Sequence, residues 1–154
     1  MSKNKKTVSA ADNVTKIIPN NALHPNLNSE QQVVLWSFDK TDKEGDFCFS
    51  SKELRNYSAD ILRFLMSVNS QKWHQIRKTT HDGGKSKHHF LDWDSLSQKA
   101  KKRIEKLHLN EDADRIFSFA LNNTLRVIGI RDQYGVFHAV WLDPHHAFCP
   151  SHKK

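Results

Sequence analysis

The chain has 154 residues, a formal net charge of +7 and 37 % hydrophobic residues, with Phe 9, Trp 4 and Tyr 2 among them. That balance suits one modest core and excludes a chain disordered throughout, while the basic excess favours a polyanionic or acidic partner. Two cysteines, Cys48 and Cys149, are too few for a disulfide scaffold, no apolar run has membrane-span length, and the basic start lacks the apolar stretch of a secretory signal. A cytoplasmic protein with reduced thiols and no membrane partner is expected.

Residues 1–30 are rich in Asn, Lys and Ser and carry Pro19 and Pro25. They read as a flexible basic arm ahead of a single domain over 31–152. Val33 to Asp39 is predicted as a first strand, and Phe47-Cys48-Phe49 starts a second apolar run after a polar turn. Ser50 with Glu53 fits a capping box ahead of Leu54, Tyr57, Ile61, Leu65 and Val68, whose spacing predicts a helix within 52–69. Ser70 is placed to cap a short helix carrying Trp73 and Ile76. His81 to His89 is polar, basic and interrupted by two glycines, which reads as a mobile loop.

A further helix is expected from Ser95, with Gln98 completing a second capping box. Its apolar face is Leu96, Ala100, Ile104 and Leu107, and its other faces carry Lys99, Lys101, Lys102, Arg103 and Lys106. This is a solvated face or a phosphate-facing one. From Arg115 onward three apolar runs are joined by Asn122-Asn123 and Asp132-Gln133-Tyr134-Gly135, the pattern of an antiparallel meander. In the first run Phe117, Phe119 and Leu121 alternate with Ser118 and Ala120, which predicts one buried face. Strict alternation also groups Trp141 with Phe137 and Ala139.

The chemistry-bearing residues concentrate in this last third. Arg126 and Arg131 lie in an apolar strand, where a guanidinium needs a partner such as Asp143 or Asp132 or must reach the sheet's rim. His145 and His146 follow Asp143-Pro144, and a histidine there is suited to proton transfer near neutral pH or to phosphate contact. The two clusters His81, His88, His89 and His145, His146, Cys149, His152 lack the paired short spacings of a zinc site. Gly83-Gly84-Lys85-Ser86 lacks the first glycine and preceding strand of a phosphate loop. No cofactor or metal is expected.

The order strand, helices, then a meander with a short His-containing tail resembles the RelE/ParE superfamily of bacterial toxins over Asp114 to Pro150. The segment also resembles small bacterial and phage proteins with a pattern that falls here on Arg126, Gly129, Arg131, Phe137, Trp141, Asp143 and His146. The resemblance implies a RelE-like α+β fold, a single antiparallel sheet packed by two or three helices on one face. It implies a toxin of a toxin–antitoxin pair acting on RNA or the ribosome, in the catalytic case a metal-independent endoribonuclease, with an acidic antitoxin as partner. By position, Arg126 and Arg131 would hold the scissile phosphate and His145 or His146 would be the acid or base. The meander itself is expected to bring Arg126, Arg131 and His146 close together, because antiparallel strands joined by Asp132 to Gly135 return their ends to one another. Lys85, Lys87, His88 and His89 from the loop, with Lys99, Lys102, Arg103 and Lys106 from the helix, would contact nucleic acid. A non-catalytic nucleic-acid or ribosome-binding module, or an inhibitor of a host protein, fits the same basic composition.

Overall fold

The computed structural model describes residues 29–151, so the expected arm lies outside the described residues except for Ser29 and Glu30. The elements are β1 (Leu35–Ser37), α1 (Ser51–Val68), α2 (Trp73–Lys78), β2 (His89–Phe90), α3 (Gln98–Lys106), β3 (Ile116–Ala120), β4 (Arg126–Arg131) and β5 (Val136–Asp143), with short 3-10 turns at Ser29–Gln31, Trp93–Ser95 and Asn110–Arg115. The class is α+β around one five-stranded sheet of order β1-β5-β4-β3-β2.

The meander is as expected: β3, β4 and β5 pair antiparallel in sequence order. The sheet as a whole is not purely antiparallel, because β1 runs parallel to β5, pairing Leu35 with Val136 and Ser37 with His138. Helices also cover both faces rather than one. On the first face, α1 and α2 bring Val68, Trp73 and Ile76 against Phe117, Phe119, Val127 and Phe137. On the second, α3 brings Ala100 and Ile104 against Ile116, Ile128, Ile130 and Trp141. That is why all five residues of β3 are buried, where alternation alone predicted one buried face.

Local signals explain most boundaries. The Ser50 hydroxyl accepts from the Glu53 N–H at 3.2 Å and starts α1. The hydroxyl of Ser97, not Ser95, caps α3 through the Ala100 N–H. Ser70 caps nothing; α2 starts after Lys72, whose N–H donates to the Gln75 side chain. Phe47 to Phe49 forms no strand. Phe47 is a buried anchor whose carbonyl accepts from the Leu142 N–H, so this loop continues the cover along β5 beyond β1.

One irregularity sets the site. Ile128 pairs with Trp141, but Gly129 pairs with Ala139, so Val140 is an extra residue in β5. This β-bulge puts Val140 and Trp141 in the same core and moves Leu142 to the opposite one. Trp141 therefore does not share the face of Phe137 and Ala139, and Asp143 comes round to the face of Arg126, its partner in register. Gly129 sits beside the bulge because a Cβ there would collide with the His138 carbonyl.

Candidate functional site: a basic cleft beside the C-terminal turn

The two strand arginines have different surroundings. Arg131 is buried, donates to the Glu30 carboxylate at 2.6 Å and to the Ser29 hydroxyl, and lies 4.4 Å over the Trp73 ring. Burial raises the Glu30 carboxyl's pKa, but Arg131 and Arg77 outweigh it and hold the group below its usual value. Arg131 is thus part of the packing on the α2 face. Four strand residues lie between it and Arg126, five steps or about 17 Å of strand, and its side chain leaves the opposite face. The expected trio of Arg126, Arg131 and His146 is not brought together.

Arg126 is also buried, but no carboxylate takes its hydrogen bonds. Its guanidinium donates to the carbonyls of Asn122 (2.6 Å), Leu125 (3.1 Å) and Asn123 (3.2 Å) in the β3–β4 turn. Burial pulls its pKa down, and the Asp143 charge opposes that. The Asp143 carboxylate is itself occupied by backbone, accepting from the N–H groups of His145 (3.3 Å), Ala147 (3.0 Å) and Phe148 (2.8 Å). These bonds fold the chain after Pro144 into a tight turn. Phe148 pins it by packing on Trp141 and Phe47, with centroids 4.9 and 5.0 Å away.

That turn presents His146 with a φ of 54°, the left-handed region that a side chain adopts at a cost of about 1–2 kcal/mol. Burial lowers the His146 pKa, the Arg126 cation lowers it further, and Asp143 only partly opposes them. These influences favour the neutral ring, whose nitrogen can accept a proton.

Arg126, Asp143 and His146 line one open cavity of about 730 Å³. Its floor includes Ser118 and Ile128, and one wall is the 81–89 segment with His81, Lys85, Lys87 and His89. This segment is a bonded turn rather than a loose loop. Thr80 bridges Ser86, the His81 N–H donates to the Lys85 carbonyl, and Gly84 takes a φ of 80°. His89 reaches the cavity because it pairs with Ser118 at the sheet edge, and its Nδ1 donates to the Phe90 carbonyl. Asp143 is the single carboxylate among the described lining residues, against Lys85, Lys87 and Arg126.

The other expected residues lie elsewhere. His145 is exposed and does not line the cavity. His88 is buried on the α1 face, accepts from the Ala120 N–H at 3.1 Å and packs on Phe64 and Phe119. Burial and the neighbouring Lys87 charge push its pKa to about 3, so it is a neutral core histidine rather than a phosphate contact. Arg103 makes a two-pronged ion pair with Asp42 at 2.6 and 2.7 Å, and Asp42 also accepts from the Trp141 indole. Lys99, Lys102 and Lys106 surround a separate recess beside Gly45 and Phe47, with Lys99 paired to Asp46. Ser118 and Asn123 belong to the cavity but carried no functional signal in the sequence, since strand register places Ser118 there and the β3–β4 turn places Asn123. Among the described residues, no group of three His, Cys, Asp or Glu side chains is arranged to hold a metal ion, and no helix is long and apolar enough to cross a membrane.

Fold and site together define an α+β protein with a basic cleft at one end of a mixed sheet. The chain belongs to the family described as Uncharacterised protein UU032, which matches residues 43–154 and so takes in both α3 and the whole cleft. No curated protein and no solved structure matches it.

Proposed function

We propose that this chain is a toxin-like, RNA-directed protein whose basic cleft binds and cleaves single-stranded RNA. The observation that carries this reading is the pairing of Arg126, which no carboxylate neutralises directly, with a His146 whose neutral form is favoured, in one cavity. Arginine fits the non-bridging oxygens of a phosphodiester, and lysines on the 81–89 wall add an attractive field. In the proposed step His146 takes the proton of a 2′-hydroxyl. The freed oxygen bonds to the adjacent phosphorus, and the bond to the 5′-oxygen breaks. A donor on the 81–89 wall, where His81, Lys85 and His89 line the cavity, protonates the leaving oxygen. The products are a 2′,3′-cyclic phosphate and a 5′-hydroxyl, with no metal in the balance. An acidic antitoxin covering the cleft would silence it.

The test is incubation of the purified chain with a labelled RNA, free and ribosome-bound, with analysis of the product ends. Cyclic-phosphate ends, lost by two or more orders of magnitude in His146→Ala while the melting curve is kept, are the expected result. Binding without cleavage would turn the reading into that of a non-catalytic module. The absence of both binding and cleavage would overturn it.

A further inference from the structure

The basic surface does not end at the cleft. A second cavity of about 510 Å³ opens across β2, lined by Glu30, His74, Arg77, Lys78, His88 and Phe90 together with Ser86 and His89. Ser86 and His89 line the first cavity as well, so the two recesses share one ledge. In the second recess Arg77 and Lys78 project from the exposed end of α2. Arg77 lies 5.5 Å over the Phe90 ring and 3.1 Å from Glu30, the one carboxylate among the described residues of this lining. Glu30 also faces Arg131, so its charge is already offset from both sides. The recess therefore presents a cation at Lys78, a guanidinium stacked on an aromatic ring, and His74.

We infer that the second recess, centred on Arg77 and Lys78, is a binding subsite for the same strand: an extended single-stranded RNA that passes from Arg126 over the His89–Ser86 ledge to α2. This rests on the RNA reading of the first cleft and goes further, because it assigns substrate length and a separate group of residues. Two recesses on either side of a narrow ledge suit nucleotides splayed from a flexible strand. A duplex keeps its bases stacked and paired and offers none to a recess. Lys78 and Arg77 serve successive phosphates, and the guanidinium face of Arg77 stacks with a base. A strand that engages both recesses is expected to need about four nucleotides or more, the short end of single-strand site sizes.

The experiment measures fluorescence anisotropy of the full chain with labelled oligouridylates of about two, four and eight nucleotides, at several salt concentrations. Affinity is expected to rise with length. Arg77→Glu with Lys78→Glu should remove the gain of the longer oligomers, roughly tenfold or more, and lower the salt slope by about 0.7 for each phosphate no longer neutralised. Binding of the shortest oligomer should be unchanged. Because Arg77 pairs with Glu30, Lys78→Glu alone serves as a second variant, and a melting curve accompanies each. Arg126→Gln should weaken every length. If oligomers bind but length and the α2 variants have no effect, the second subsite is overturned while the cleft reading stands. If no oligomer binds, both fall. Equal displacement of the RNA by polyglutamate would also overturn the subsite, since any flexible polyanion would then suffice.

Discussion

Arg126 and Arg131 stand at the two ends of one largely apolar strand and are both buried, yet they do opposite work. Arg131 finds a carboxylate, a hydroxyl and an indole ring on the α2 side, and its charge is spent on packing. Arg126 finds three carbonyls on the other side, while the carboxylate across the ladder is occupied by three backbone N–H groups. Carbonyl oxygens orient a guanidinium without cancelling its charge. A buried arginine thus marks an anion site only when its partners are neutral, and the partners lie far away in sequence or in a turn.

The sharpest way to break this contrast is at the bulge that creates it. Gly129→Ala should cost about 4 kcal/mol or more, since its Cβ meets backbone and the β4–β5 ladder must part. Urea unfolding checks this, and a near-wild-type midpoint would mean the ladder can shift. Next is Arg126→Gln, expected to lower RNA cleavage or affinity by about 100-fold, the scale for losing an electrostatic donor in a site. Stability should fall by only about 1 kcal/mol, because the hydrogen bonds removed lie beside an open cleft. Arg131→Ala should give the reverse pattern. Stability drops by about 2 kcal/mol, less than for a fully buried pair because Glu30 is partly exposed, with no change in specific activity.

A smaller effect concerns His138, whose Nδ1 and Nε2 lie 2.7 and 2.8 Å from the carboxylates of Asp39 and Asp132. Both partners are acceptors, so the ring carries two protons. Burial pulls its pKa down, but the two carboxylates outweigh that and raise it above the ordinary 6.5. Its contribution is fully present below about pH 6.5 and is lost as pH rises through the raised folded-state value. His138→Gln should therefore destabilise more at about pH 6 than at about pH 9, as urea unfolding at the two pH values would show. The smallest effect expected is that of Lys102→Ala, within about 0.5 kcal/mol in stability and without change in RNA affinity, since Lys102 borders the separate recess near Phe47.

What could be read in advance follows the range of the interactions. The capping serine of α1 and the apolar stripe of α3 rest on interactions within a few residues, and the three meander strands on pairing across short turns, so local pattern exposes them. The partner of Arg131 is Glu30, 101 residues away, and no local pattern shows it. The extra residue at Val140 leaves an ordinary run of apolar letters, yet it reverses which face Trp141 and Asp143 take. His88 and His89 are neighbours in a basic segment. Strand geometry sends one into the core and one to the cleft, and only pairing with β3 decides which. Arg126, His146, Lys85, Lys87 and His89 were legible as residues, but their convergence was not.

The parallel edge strand has a consequence for biosynthesis. Leu35 pairs with Val136, 101 residues later, while every other strand pairs within a far shorter stretch. At about 5–20 residues per second of synthesis, β1 leaves the ribosome roughly 5–20 s before its partner exists. The pairings within the meander do not involve β1, which adds to the outer edge of β5. Its three-residue length keeps it a poor template for other nascent chains during that wait. Completion of the fold is thereby tied to the same C-terminal stretch that carries Asp143 and His146, so a truncated chain lacks both the last strand to pair and the site.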